Sequence, residues 1–144
     1  MKNILVTVEL EEESSALLEM AEQIASKFNA KVWLVHVAAP EPDFIGYSTG
    51  PQYIRDMLAK DLRNEHKMIQ QYADNMKANG VDAEGLLIQG ITTEVIVEEA
   101  NKLNVDLIII GHHKRGFIYD LFMVGTDDAL IDNSNIPVLT IPLD

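Results

Sequence analysis

Cysteine is absent from the 144 residues. That excludes disulfides and thiolate metal sites, and it suits a reducing compartment, so a cytoplasmic protein is expected. Long apolar runs are absent too. Nothing approaches the ~18 residues that a membrane-spanning helix requires, and Met1-Lys2-Asn3 leads into a strand-like run rather than a signal peptide. Positive charge is scarce: 11 Lys and Arg stand against 23 Asp and Glu, a net charge of −12. Nucleic acid and membrane surfaces are therefore not expected as partners, and an anionic ligand would need a local cationic patch against the global field. What the chain has in quantity is apolar content, 47%, enough for a packed core. Its length fits one domain over residues 1–144.

Residues 4–8 (ILVTV) form a short apolar run and predict a buried first strand. Acidic residues Glu11, Glu12 and Glu13 then precede a stretch in which Leu17, Met20, Ala21, Ile24 and Phe28 recur at helical spacing. A second strand is predicted over 32–37. Residues 38–51 carry Pro40, Pro42, Gly46, Gly50 and Pro51, a connection long enough to be a lid candidate. Ile54, Leu58, Leu62, Ile69, Tyr72 and Met76 mark a long helix that Gly80 stops. A strand over 85–89, a helix over 92–103, a strand over 106–110, a helix near 127–132 and a last strand over 137–142 complete the pattern. The methionines at 20, 57, 68, 76 and 123 read as core filler. Strict β–α alternation predicts a doubly wound, Rossmann-like parallel sheet with helices on both faces.

Such sheets bind ligands beyond the carboxyl ends of their strands, where strand order reverses. The candidates are Thr7-Val8-Glu9, Gln89-Gly90, and the stretch GHHKRGFIYDLFMVGT at 111–126. The last has a glycine closing the fourth strand, a cationic turn, and then Gly125-Thr126 before a helix. Backbone N–H groups in such a place can cradle phosphate oxygens. A glycine-rich turn after the fourth strand favours the order 3-2-1-4-5 over 2-1-3-4-5. The third strand lacks a terminal Asp for phospho-acceptance, the turn after the first strand is acidic, and neither a GxGxxG nor a GxxxxGK[ST] motif is present. No Ser-His-Asp order, carboxylate pair or metal spacing stands out, so a fast enzyme is not expected. Adjacent His112 and His113 tend to point apart, which disfavours zinc. His36, inside an apolar strand, reads as a hydrogen-bonded structural histidine.

Five segments, KNILVTVEL at the start, KVWLVHVAAPEP, GYSTGPQYIRD, IQGITTEVIVEEANKLNVDLIIIGHHKRG and NIPVLTIPLD at the end, resemble the universal stress protein family across essentially the whole chain. The resemblance implies the 3-2-1-4-5 order and a homodimer. Some members bind ATP through G-x2-G-x9-G-[ST] after the fourth strand. In this chain Gly111 opens that motif and Gly125-Thr126 closes it. Lys114 stands at the second glycine with Gly116 two residues on, ten residues separate 114 from Gly125, and Asp127 follows the final pair. Glu9 holds the position of the adenine-contacting Asp. The implied binding set is Thr7, Val8, Glu9, Val37, Ile110, Gly111, His113, Lys114, Gly116, Gly125 and Thr126. Glu9 and the Val37 backbone would meet adenine. Gly111, Lys114, Gly116, Gly125 and Thr126 would meet the ribose and phosphates of ATP or AMP.

Lys114 and Arg115 could supply charge-assisted contacts to phosphate in place of lost N–H donors. Asp127 opposes them, or could hold Mg²⁺ once phosphates are bound. The GHH opening also resembles the branch of the family that binds no nucleotide. Three readings stay open: a nucleotide-binding regulatory module in stress response, a nucleotide-independent dimeric interaction protein, and a weak ATPase or self-phosphorylating protein using Thr126 or Ser134. The final apolar strand, Val138 to Ile141 between Pro137 and Pro142, is an expected sheet edge through which a homodimer would pair.

Overall fold

A computed structural model describes residues 1–10, 14–38, 52–90, 92–112 and 126–143. The elements are β1 (Asn3–Thr7), α1 (Ser15–Phe28), β2 (Lys31–Ala38), α2 (Gln52–Ala78), β3 (Ala83–Gln89), α3 (Thr92–Lys102), β4 (Leu107–His112), α4 (Thr126–Asn133) and β5 (Val138–Pro142). The strands form one parallel sheet in the order β3-β2-β1-β4-β5.

Alternation along each strand splits the core into two layers. Ile4, Val6, Val32, Leu34 and Ile109 pack with Leu17, Ala21 and Ala25 of α1 and with Ile69, Ala73 and Met76 of α2. Leu5, Val35, Ile108 and Ile110 pack with Ile96 and Ala100 of α3 and Leu130 of α4. The helices thus lie in pairs on opposite faces, as right-handed crossovers on either side of β1 and β4 require. The predicted Met and Phe positions need correcting. Met20, Met57, Met68 and Phe28 are exposed and only Met76, among the described methionines, is core. Small Ala21, Ala25 and Ala73 take the inward positions instead, letting the helices approach the sheet closely.

Three helices end in the same way, and this sets the entry to each following strand. Asn29, Gly80 and Asn104 take positive φ, and the next residue's N–H reaches back five residues: Ala30 to Ala25, Val81 to Met76 and Val105 to Ala100, at 2.9, 3.0 and 2.9 Å. This is the Schellman stop, which satisfies a carbonyl left over at the helix end. At the amino ends of the strands, the Asp106 carboxylate accepts from the Lys2 and Asn3 N–H groups at 2.7 and 3.0 Å. The same residue's N–H donates to the Asn3 carbonyl at 2.8 Å. Those bonds clamp β1 to β4 at the pole away from the candidate site.

Two boundaries differ from expectation in ways that bear on function. β4 does not stop at Gly111. Pairing with β5 carries it through Gly111↔Ile141 and His112↔Pro142, because the edge partner offers two further rungs beyond the apolar run. β3 starts at Ala83, two residues early, opposite Val32 of β2. Ala38 belongs to β2, and the rest of the lid candidate, 39–51, lies outside the described residues.

Candidate functional site

β1 and β4 lie side by side, one continuing through α1 toward β2 and the other through α4 toward β5. Their pairing runs only from Ile4↔Leu107 to Val6↔Ile109. Beyond that rung β1 continues to Thr7, and β4 continues through Ile110, Gly111 and His112. The outer neighbours stay paired: β1 with β2 to Thr7↔Val35, and β4 with β5 to His112↔Pro142. The sheet therefore parts at its middle, at the carboxyl ends of the two strands where strand order reverses. This is where a ligand crevice forms in a doubly wound sheet.

The residues bordering this gap are well fixed on the β1 side. Thr7 is half-buried, and Val8 is buried in the layer under α1. The Val8 N–H donates to the Val35 carbonyl at 2.8 Å. Its carbonyl accepts from His36 Nδ1 at 2.8 Å, so His36 is the hydrogen-bonded histidine that the sequence suggested. Glu9 is half-buried, and its carbonyl accepts from Ser14 Oγ at 2.6 Å. Ser14 is itself buried and precedes α1, yet its hydroxyl makes no bond to the helix. It is spent on holding the turn that carries Glu9. Pattern reading passed over Ser14 because a serine there reads as an ordinary helix cap.

On the β4 side, Ile110 is buried among α3 and α4 residues, and Gly111 is half-buried. A Cβ built on Gly111 would lie 2.5 Å from Leu143 Cδ1. The Leu143 N–H in turn donates to the His112 carbonyl at 2.8 Å. Leu143 thus fills the space left by the missing side chain, on the face of the sheet that carries α1. A ligand would meet Gly111 from the strand end or from the other face. Val37, on β2, is half-buried against the layer of α3 and α4. Thr126 opens α4. The first-turn N–H groups of a helix have no intrahelical acceptors and carry partial positive charge. His113, Lys114, Gly116 and Gly125 lie outside the described residues, as does Arg115.

The structure thus brings Thr7, Val8 and Glu9 to the same pole as Ile110 and Gly111, with Val37 one strand away. Both polar backbone groups of Val8 are occupied, so Val8 can offer shape to a ligand more readily than hydrogen bonds. The Glu9 carboxylate can accept from an amino group such as that of adenine. Among the described residues no group of three His, Asp or Glu side chains could hold a metal ion, and no helix is long and apolar enough to cross a membrane.

Comparison with known proteins matches this geometry to one family. The profile of the universal stress protein family matches residues 1–142. A universal stress protein A homolog of Haemophilus ducreyi is 31% identical over 144 residues, covering 99% of this chain and 96% of that protein. A crystal structure of a universal stress protein in complex with cAMP superposes with a TM-score of 0.69 at 19% identity, over 99% of this chain and 98% of the other. The Archaeoglobus fulgidus universal stress protein in complex with dAMP gives a TM-score of 0.67 at 17% identity, over 98% of both chains.

Proposed function

The chain belongs to the universal stress protein family, and from that premise we propose that it is an adenine nucleotide-binding regulatory module of the stress response. The observation that carries the proposal is the parting of β1 from β4 after Val6↔Ile109. It falls where strand order reverses and the connections diverge, the place at which doubly wound sheets take their ligands. The cAMP and dAMP complexes of two proteins of the same fold support an adenine nucleotide as the occupant. In this reading Glu9 accepts from the adenine amino group and the Val37 backbone meets the ring. Thr7, Val8 and Ile110 wall the crevice. Gly111, His113, Lys114, Gly116, Gly125 and Thr126 face ribose and phosphates, with Mg²⁺ joining through Asp127 only when phosphates are present. Any hydrolysis is slow and secondary. The chain acts as one domain over residues 1–144, in the cytoplasm, as a homodimer paired through β5.

One observation favours a second reading, a dimeric interaction protein that needs no nucleotide. Leu143 already uses the space over Gly111, which gives that glycine a packing role independent of any ligand. Two measurements separate the readings. Mass spectrometry of small molecules released from freshly purified protein should detect AMP or ATP. Calorimetry should then show binding that Gly125→Val abolishes with the fold intact, because a β-branched side chain blocks close backbone approach to phosphate. Absence of bound nucleotide together with no heat on titration of AMP or ATP would favour the second reading. Unchanged affinity in the Gly125→Val variant would move the phosphate site elsewhere.

A further inference from the structure

The hydrogen bonds of β2 alternate in direction. Val32 donates its N–H to Asp82 ahead of β3, and Gly90 returns one to the Ala38 carbonyl, so the even-numbered residues of β2 face β3. Lys31 donates to the Lys2 carbonyl, and the Val35 carbonyl accepts from Val8, so the odd-numbered residues face β1. In a parallel ladder the rung after Val8 N–H to Val35 carbonyl is Val37 N–H to Val8 carbonyl. The β1–β2 register ends at Thr7↔Val35, before that rung. The Val8 carbonyl accepts instead from the side chain of His36.

The ring is held from both sides. A carbonyl oxygen only accepts, so Nδ1 carries the hydrogen in the 2.8 Å bond to Val8. Nε2 stands 3.8 Å from Glu65 Oε2 of α2. That carboxylate oxygen is buried and has no hydrogen-bond partner among the described residues. His36 alternates with Leu34, which packs in the layer under α1 and α2, so the imidazole reaches the end of β1 from the helix face while α2 backs it with Glu65.

We infer that His36 is a positioning residue of the nucleotide site: by taking the Val8 carbonyl it stops the β1–β2 ladder one rung early and leaves the Val37 N–H as a donor for the ring of an adenine nucleotide. The inference rests on the adenine reading above, with the Val37 backbone on the ring. It adds the reason why that backbone is available. Were the ladder to close, the Val37 N–H would be consumed by β1, as the register pairs Val35 with Thr7. The same bond aims the chain leaving Val8 and so sets where Glu9 stands.

The test compares ligand-free wild type, His36→Leu and His36→Asn. Nitrogen-15 NMR of the wild-type imidazole should show the hydrogen on Nδ1. Amide hydrogen exchange at Val37 should be fast in wild type and at least about tenfold slower in His36→Leu, where the ladder is free to close. The Asn side-chain amide stands where Nδ1 stands, so His36→Asn should exchange as wild type does. AMP affinity by calorimetry should fall about tenfold in His36→Leu, near the worth of one hydrogen bond, and recover in His36→Asn. Equal Val37 exchange in wild type and His36→Leu overturns the inference, as does a ring whose hydrogen sits on Nε2. If His36→Leu does not fold, the ring tautomer and the behaviour of His36→Asn still decide it: loss of AMP affinity in a folded Asn variant counts against it. If wild type binds no AMP, the adenine reading fails and the positioning role with it. The exchange and tautomer measurements then still judge the interrupted ladder by itself.

Discussion

Gly85 lies in the middle of β3 with ordinary strand backbone, so alanine there meets no dihedral penalty. It meets a steric one. An added Cβ would fall 2.9 Å from the Ile69 carbonyl oxygen, 3.1 Å from its carbonyl carbon and 3.3 Å from its Cγ1. The first two atoms are helix backbone in the middle of α2, and Ile69 is fully buried. Ordinary contact requires α2 to retreat by roughly 0.5 Å, straining the layer that Ala73 and Met76 share and the 3.1 Å bond from Gln70 Nε2 to the Gly85 carbonyl. Overpacking of this kind costs ~1–3 kcal/mol. Restricting the unfolded chain returns ~0.4–1 kcal/mol. Gly85→Ala should therefore destabilise by about 1–2 kcal/mol, on the order of 3–6 °C in Tm for a chain of this size. Gly111→Ala is the control. Its nearest obstacle is closer, 2.5 Å, but it is Cδ1 of Leu143, a side-chain tip that can rotate aside. Its cost should stay under about 1 kcal/mol. Urea unfolding followed by circular dichroism, with the m-value checked for constancy, measures both. A neutral Gly85→Ala, or a Gly111→Ala that costs as much, would refute the distinction between a backbone obstacle and a side-chain one.

Replacing Lys114 and Arg115 together by alanine should weaken ATP more than adenosine, because charge-assisted contacts are worth about 1.5–3 kcal/mol each; equal losses by calorimetry would show that the cations do not face phosphate. The Lys2 N–H bond, and after it the Asn3 N–H bond, holds the Asp106 carboxyl below the usual carboxylate range. A depressed folded value means stability that is present above the unfolded carboxylate range, near pH 4, and lost as pH falls through the folded value. Asp106→Asn should therefore lower stability at neutral pH and flatten the acid limb of a Tm-against-pH curve; an unchanged limb would contradict the clamp. The Pro137 carbonyl and the Leu143 N–H both face β4, so the odd-numbered residues of β5 pair inside the sheet and Thr140 turns its N–H to the outer edge. The wild type should sediment as a dimer at micromolar concentration and Thr140→Pro as a monomer, since proline removes an outward donor from the middle of the β5 seam. A wild-type monomer would reject pairing through β5, and a dimeric variant would place the interface elsewhere.

The sheet was legible because its signals are local and repeated. Apolar runs such as LIII at 107–110 and stops such as Gly80 mark elements whatever their partners are. The stops at Asn29 and Asn104 use the other residue that tolerates left-handed backbone and were not read from sequence. The helix faces were less legible. The long apolar residues Met20 and Phe28 fit a 3.6-residue period and Met57 reads as core filler, yet all three lie outside while alanines face the sheet. Burial there is decided by how closely helix and strand approach, as Gly85 against Ile69 shows. The end of β4 was misplaced because a glycine after an apolar run looks like a terminus, and only the partner strand reveals two further rungs.

The site divides along the same line between local and long-range causes. Thr7-Val8-Glu9 and Gly111 could be nominated because the carboxyl ends of strands follow from element order. What fixes them could not. Ser14 on the Glu9 carbonyl spans a turn, His36 on the Val8 carbonyl spans two strands, and Glu65 reaches His36 from a helix in another part of the sequence. Each depends on register, which alternation alone leaves free. Gly111 is the sharpest case. A glycine at the end of a strand reads the same whether a nucleotide or a neighbouring side chain uses the vacant space. Here Leu143 occupies that space on the face that carries α1, while the pairing of β4 with β1 stops at Val6↔Ile109. A side chain added at Gly111 would point to that same face, so packing by Leu143 and the approach of a ligand past Gly111 draw on one space. Gly111→Ala tests them separately, since lost packing registers in unfolding and lost approach in nucleotide affinity. A variant that keeps full AMP affinity while losing stability would leave packing as the glycine's one role.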